Sequence, residues 1–278
     1  MIGFGARLEA RVAATAPACV GIDPHLLRVP GVTGSQSRVA TARAVARFGC
    51  AVVEAVAGEV AAVKPQVAFF EQLGSPGVAA LEEVVAAARD AGLLVLLDAK
   101  RGDIGSTAEA YARATLDDDG PVGADAVTLS PYLGPESLAP FLERRAAGKG
   151  LFVLLRTSNP GAGPWQQGTG LAGQVADWVA EANRDGTGSV GVVVGATLPD
   201  EAPRWRERLP QAWFLVPGFG AQGATVDDVR GHFRHDGSGA LITSSRGVLF
   251  PAEGKDAPAD VVRAVRERAR ALVQSLRG

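Results

Sequence analysis

The stretch Leu93-Leu94-Val95-Leu96-Leu97-Asp98-Ala99-Lys100-Arg101-Gly102-Asp103-Ile104 decides how this chain is read. Five consecutive apolar residues, preceded by Gly92, run straight into a carboxylate, an ammonium and a second carboxylate. An unbroken apolar run of this length predicts a strand buried on both faces, as parallel sheets require. Charges at the carboxyl end of such a strand are costly to desolvate unless they are paired or used. Asp98 and Lys100 are two apart, which on a strand points them to the same side. Asp103 falls beyond the strand, free to turn elsewhere. The cluster therefore reads as a site.

Outward from this segment the chain alternates. Short apolar runs at Ala18–Ile22, Val60–Val63, Leu93–Leu97, Ala126–Leu129, Leu151–Leu155, Val190–Val194, Trp213–Val216 and Ala240–Ile242 predict eight strands. Helical spacing lies between them. Leu81, Val84, Val85 and Ala88 recur at i, i+3, i+4 and i+7, with Ser75-Pro76 as N-cap and first-turn proline and Gly92 as the stop. Ser106-Thr107-Ala108-Glu109 has the pattern of a capping box after the third strand. Val261, Val262, Val265, Ala269, Leu272, Val273 and Leu276 mark one face of a closing helix. Eight strand–helix units without a break in composition predict a single α/β domain over residues 1–278, a (β/α)8 TIM barrel. A doubly wound open sheet is the alternative. The segments Val29–Ser37 and Gly161–Gly170 are long for connectors and read as lids or insertions.

Composition narrows the function classes. A barrel of roughly 250 residues fits within the 278-residue chain. A net charge of −2, without a block of Lys or Arg, gives nucleic-acid binding little support. Cys19 and Cys50 are too few for a disulfide framework and have no metal-ligand spacing, which suits a reduced, cytoplasmic setting. No apolar h-region follows Met1, and the most apolar window, Cys50–Val63, is broken by Glu54 and Glu59, so neither a signal peptide nor a membrane span is expected. His25, His232 and His235 do not resemble a metal set.

In such a barrel, chemistry collects where the strands end. Here those ends carry Asp23 after the first strand, Lys64-Pro65-Gln66 after the second, and the Asp98/Lys100/Asp103 cluster after the third. Arg156-Thr157-Ser158-Asn159 follows the fifth. Glycine-rich backbone after strand seven (Pro217–Gly223) joins Ser245-Arg246 after strand eight. Those two segments are the usual phosphate site, and Arg246 offers a fork of donors matched to phosphate oxygens. The expected ligand carries a phosphomonoester at one end and meets the Lys/Asp cluster at the other.

Taken in order, these residues resemble one family. Gly21-Ile22-Asp23, Lys64–Glu71, Asp98–Thr107, Thr157–Ala162, Pro217-Gly218-x-Gly220-Ala221-Gln222-Gly223 and Ser245-Arg246 look like orotidine 5′-phosphate decarboxylases, and resemble the longer bacterial branch. The resemblance implies cofactor-free decarboxylation of orotidine 5′-monophosphate to uridine 5′-monophosphate (UMP), the last step of pyrimidine synthesis, with no metal. It implies that Lys100 donates a proton to C6 and that Asp98 faces the substrate carboxylate. Asp23 and Lys64 would hold ribose hydroxyls, and Ser158 would read the pyrimidine amide edge. Gln222 would bridge base and phosphate, Pro217 and Ser245 would line the nucleotide, and Arg246 would bind its phosphate. Asp103 and Thr107 would cross a homodimer interface into the neighbouring site.

Each residue also has a plainer reading. The charge cluster could be a structural ion pair, Lys64 a rim lysine with its head in water, and Asp23-Pro24 a turn starter. Thr107 could be a helix cap alone, the glycines could serve only a tight turn, and Trp165-Gln166-Gln167 is either a lid or a surface loop. Two other chemistries use a similar frame. Metal-dependent sugar-phosphate decarboxylases and aldol-type synthases need an acid at the end of strand two, where this chain has Lys64. A Schiff-base aldolase would use an unpaired lysine. A phosphate-ligand scaffold without turnover leaves the charge cluster unexplained.

Overall fold

The computed structural model describes residues 2–220, 223–250 and 260–277. Its eight strands are β1 (Ala18–Ile22), β2 (Ala62–Pro65), β3 (Leu94–Arg101), β4 (Ala126–Leu129), β5 (Gly150–Arg156), β6 (Val190–Val194), β7 (Phe214–Pro217) and β8 (Ala240–Ser244). Each pairs in parallel with the next, and β8 pairs back onto β1 through Ala18↔Ile242, closing the barrel. An open doubly wound sheet is thereby excluded. Three strands have the predicted bounds. The second begins at Ala62 instead of Val60, and the third runs on through Asp98 and Lys100 to Arg101. Those two shifts put the charged residues inside the strands, not after them.

Alternation along the strands sorts side chains into two layers. One cluster fills the barrel and contains Cys19, Ala62, Leu94, Leu96, Ala126, Phe152, Val193, Leu215 and Leu241. The other packs between barrel and helices and takes their neighbours Val20, Val63, Val95, Leu97, Val127 and Val153. Among the covering helices are Arg38–Val56, Ser75–Asp90, Gly105–Leu116, Leu171–Ala182 and Val261–Arg277. The last buries Val265, Ala269, Leu272 and Val273, as its spacing predicts.

A helix at Phe4–Ala14, which no strand–helix pattern announces, brings Phe4 and Leu8 into the inner cluster. Phe4 meets Phe152 edge-on at 5.9 Å. Gly150 leaves the room, since a Cβ there would lie 2.2 Å from the Phe4 ring. Arg7 on this helix pairs with Asp125, whose other oxygen accepts from Val95 N–H at 2.8 Å. The helix thus plugs the barrel at the amino ends of its strands and leaves the carboxyl ends for chemistry.

Two helix starts differ from expectation. Gly74, not Ser75, is the N-cap of the helix Ser75–Asp90, so Ser75-Pro76 forms its first turn. The helix after β3 begins at Gly105 with Ile104 as N-cap, and neither Ser106 nor Thr107 caps it. Glu109, the other half of the expected capping box, pairs with Arg144 instead. The capping box that forms is Thr225 with Asp228, whose carboxylate accepts from the Thr225 amide at 2.7 Å. Among the described residues, no helix is long and apolar enough to cross a membrane.

His232, fully buried between β7 and β8, gives the fold an acid-sensitive point. Its Nε2 lies 3.3 Å from the Gly195 carbonyl, and the Arg206 guanidinium donates to the His232 carbonyl at 2.8 and 3.0 Å. Burial first, and the Arg206 charge with it, push the imidazole down to about 4 from its ordinary 6.5, against its backbone hydrogen bonds. The unfolded chain therefore binds this proton more readily. The His232 contribution is intact above pH 6.5 and is lost as pH falls toward 4, by about 3 kcal/mol in all. Denaturant unfolding across this range should show a shallower decline for His232→Gln than for the parent protein. Parallel declines would contradict the assignment.

Candidate active site

The alternation that fills the barrel continues past its apolar layers. With Leu94 and Leu96 pointing inward, Asp98 and Lys100 follow on the same side of β3. Lys64 follows Ala62 on β2, Thr128 follows Ala126 on β4, and Thr243 and Ser245 follow Leu241 at the end of β8. Asp23 stands in the same series as Cys19 and Gly21 on β1. A single parity rule therefore converges these polar groups on the barrel axis at its carboxyl end.

Asp98 is the centre. Its Oδ1 accepts from Lys100 Nζ at 2.5 Å and from Thr128 Oγ1 at 2.9 Å. Its Oδ2 accepts from Lys64 Nζ at 2.6 Å and from Gln66 Nε2 at 3.0 Å. Burial alone would push this carboxyl up, but the Lys64 and Lys100 ammoniums outweigh it and hold the group well below the usual carboxylate range. For Lys64, burial pulls the ammonium down, and Asp98 and Asp23 more than restore it, so the net shift is upward.

The two lysines have different surroundings. The Lys64 side chain is 7% exposed, which removes the reading of a rim lysine with its head in water. That of Lys100 is 45% exposed, so its ammonium is held by Asp98 yet faces the open end of the barrel. Asp23 has a buried carboxylate oxygen, Oδ1, with no hydrogen-bond partner. Such an orphan acceptor beside a cluster of charges fits a ligand hydroxyl better than a turn starter.

Other expected residues lie around this centre. Arg246 opens the short helix Arg246–Leu249, exposed, and no described side chain pairs with its guanidinium. Ser245 packs tightly on β1, since a Cβ on Gly21 would lie 1.9 Å from its Oγ. Pro217 ends β7, and its carbonyl accepts from Ala196 N–H at 2.8 Å. Beyond it, Gly218 and Gly220 have φ of 105° and 70°, conformations that residues with a Cβ rarely adopt. Gln222 lies outside the described residues. Ser158 is exposed beside Gly195 at the end of β5.

Asp103 and Thr107 do not join the cluster within this chain. The Asp103 carboxylate accepts from its neighbour Ile104 N–H at 2.8 Å, and Thr107 is exposed. Arg156, at the end of β5, is committed elsewhere. It forms a buried ion pair with Glu201 at 2.6 Å and donates to Gln166 Oε1 at 3.2 Å. Gln166 also accepts from Thr157 N–H at 2.9 Å, tying the loop to the strand end and leaving Trp165 exposed.

Sequence reading missed Thr128 and gave Gln66 no role, although both grip Asp98. The signal for Thr128 was present: a lone hydroxyl in the buried Ala126–Leu129 run, at the inward parity.

The arrangement provides a fixed ammonium beside a carboxylate, facing an open mouth, with the exposed Arg246 guanidinium at the same end of the barrel. Such a site can stabilise a carbanion and protonate it. Comparisons with known proteins identify the chain's relatives. A protein from Rhodopirellula baltica named orotidine 5′-phosphate decarboxylase is 46% identical over 271 residues, covering 90% of this chain and 89% of its own. One of the same name from Nocardioides is 47% identical over 265 residues, with 90% and 92% covered. Among solved structures, a candidate orotidine 5′-phosphate decarboxylase from Streptomyces avermitilis aligns with a TM-score of 0.87 at 43% identity, covering 100% of this chain and 95% of that one. The OMP decarboxylase of Leishmania donovani aligns at 0.78 and 36% identity, covering 99% and 97%. The profile described as orotidine 5′-phosphate decarboxylase / HUMPS family matches residues 17–260, from just before β1 to just before the closing helix, and the chain belongs to that family.

Proposed function

We propose that this protein decarboxylates orotidine 5′-monophosphate to UMP, with Lys100 as the acid and no metal or organic cofactor. The observation that carries this reading is the Lys64–Asp98–Lys100 array, seated at the carboxyl end of the barrel with one ammonium buried and the other open. The homologues that bear the decarboxylase name support it.

The chemistry is a heterolysis. The C6–carboxylate bond breaks, carbon dioxide leaves, and the electron pair remains on C6 in an orbital that the ring π system delocalises poorly. Lys100 stands as a fixed positive charge where that pair develops, in a site where a charge interaction is worth more than in water. Its Nζ–H proton then passes to C6, and the amine regains a proton from solvent. Asp98, held ionised, faces the departing carboxylate, and repulsion between them adds strain that phosphate and ribose contacts offset. Asp23 and Lys64 take the ribose hydroxyls, which suits the orphaned Asp23 oxygen. Ser158 reads the base, and Pro217, Gln222 and Ser245 line the nucleotide. Arg246, without a described partner, takes the phosphate.

Among the described residues, Lys100 pairs with one carboxylate. The second is the Asp103 of a partner copy, which enters a shared site with Thr107 in a homodimer. Exposed Ile104, Tyr132 and Leu133, at the ends of β3 and β4, support a contact there. Free Cys19 and Cys50 suit a reducing, cytoplasmic setting.

Loss of orotidine monophosphate absorbance, followed in metal-free buffer with and without chelator, tests the assignment. Equal rates are expected. Abolition by chelator would favour a metal-dependent synthase, although Lys64 stands where a divalent ion needs an acid. Arg246→Ala should weaken UMP binding by tenfold or more, at about 1.4 kcal/mol per tenfold, and unchanged affinity would place the phosphate elsewhere. Mixing inactive Asp103→Asn and Lys100→Ala proteins should restore activity, because one hybrid site is then intact. No restoration after proven subunit exchange would mean that sites are self-contained.

A further inference from the structure

Lys100 has a backbone that ordinary residues avoid. Its φ is +46°, and no other described non-glycine residue has a positive φ. The cause lies in the ladder. Leu97 pairs with Val127, and the next pair is Arg101 with Leu129, so β3 advances four residues while β4 advances two. The extra residues form a bulge that carries Lys100, and its amide leaves the regular strand pairing.

That amide finds Thr128. Lys100 N–H donates to Thr128 Oγ1 at 3.0 Å, and the same hydroxyl donates its single hydrogen to Asp98 Oδ1 at 2.9 Å. The direction is fixed, because an ionised carboxylate only accepts and an amide only donates. Thr128 is 1% exposed, so neither bond has a ready substitute in water. One buried hydroxyl thus holds both the backbone of the acid and the carboxylate paired with its ammonium.

We infer that Thr128 is a positioning residue for the reaction. Its hydroxyl locks the bulged backbone of Lys100 and the Asp98 carboxylate into one rigid unit, so the ammonium stays where charge develops on C6. The inference rests on Lys100 being the acid, as proposed above. Without the hydroxyl, the bulge relaxes and the Asp98 oxygen swings toward Lys64 and Gln66. A shift of about 1 Å at such a centre costs on the order of a hundredfold in rate. Ground-state nucleotide binding, which depends on phosphate and ribose contacts, should be almost untouched.

The test compares Thr128→Val, which keeps the shape and removes the hydroxyl, with Thr128→Ser, which keeps the hydroxyl. Thr128→Ala serves as a second hydroxyl-free variant. All three are measured beside Lys100→Ala for kcat and for UMP affinity. Expected are a kcat loss of about a hundredfold in Val and Ala, UMP affinity within about threefold of the parent, and recovery in Ser to within about fivefold. Normal kcat in the hydroxyl-free variants while Lys100→Ala is dead would overturn the role of Thr128 alone. So would Ser as slow as Val, or a loss confined to affinity. Normal turnover in Lys100→Ala would overturn the reading of the site and this inference with it.

Discussion

Lys100→Ala should lose turnover by four or more powers of ten while still binding UMP. Each tenfold corresponds to about 1.4 kcal/mol of transition-state stabilisation, so about 5–6 kcal/mol is assigned to one ammonium. The size follows from its place. The alternative to that charge at C6 is water or nothing, and an electron pair without delocalisation needs a nearby cation and a proton. The fold should survive the change, since Asp98 keeps Lys64, Gln66 and Thr128 as donors and the Lys100 side chain is already 45% exposed. Single-turnover rates at saturating nucleotide, with UMP affinity by calorimetry, separate the two effects. A near-normal rate would remove Lys100 from the mechanism.

Asp98→Asn should damage both stability and turnover. An amide of the same shape accepts on one side only, so two of the donors aimed at Asp98 lose their acceptor. The Lys64 ammonium, 7% exposed, is then a buried charge without its partner. Breaking a buried pair in this way costs about 3–5 kcal/mol. The pH dependence follows from the two shifts. The lowered Asp98 group contributes stability above its ordinary 3.8, lost only as pH falls through its native value. The raised Lys64 group contributes below its ordinary 10.5, lost only as pH rises through its native value. Between those limits the pair is constant. Without Asp98, burial pulls the Lys64 ammonium down, so denaturant unfolding should show the full deficit for Asp98→Asn at pH 6 and a smaller one as pH rises toward 9 and the unpartnered lysine sheds its proton. A deficit under about 1 kcal/mol at pH 6 would contradict the pairing.

Much of the architecture was legible because the apolar runs repeat. Eight runs, each buried on both faces, leave few options besides a barrel, and closure through β1 and β8 follows from right-handed strand–helix crossovers. The reading fell short where polar residues belong to strands. The apolar runs stop short of Lys64, Pro65, Asp98 and Lys100 because strands are read from apolar character, yet the strands continue through them and carry these polar groups at their ends. Capping also misled. Glu109 has two possible partners in sequence, a local amide and a distant arginine, and only the fold brings Arg144 to it. The amino-terminal plug was invisible for a related reason. Phe4 and Leu8 gain meaning from Gly150, a residue far along the chain that makes space for the ring.

The site itself divides along the same line. Asp98 and Lys100 stand out in the sequence because charge beside a buried run is unusual. Their bond to each other and to Lys64 follows from parity once the strands are placed. Thr128 was passed over because a threonine in a strand is ordinary. Its role depends on a bulge between β3 and β4, and bulges leave no mark in residue pattern alone. Asp103 stands apart from Lys100 within this chain and accepts only from the Ile104 amide among the described contacts, which is the arrangement the proposed sharing of sites between copies requires.

A crystal structure with a UMP analogue bearing an anionic group at C6 tests the central claim most directly. The account predicts Lys100 Nζ within about 3 Å of that group, the Arg246 guanidinium on the phosphate, and a partner's carboxylate completing the lysine's surroundings. An ammonium far from C6, or a divalent ion seated between Asp98 and a second acid, would contradict it.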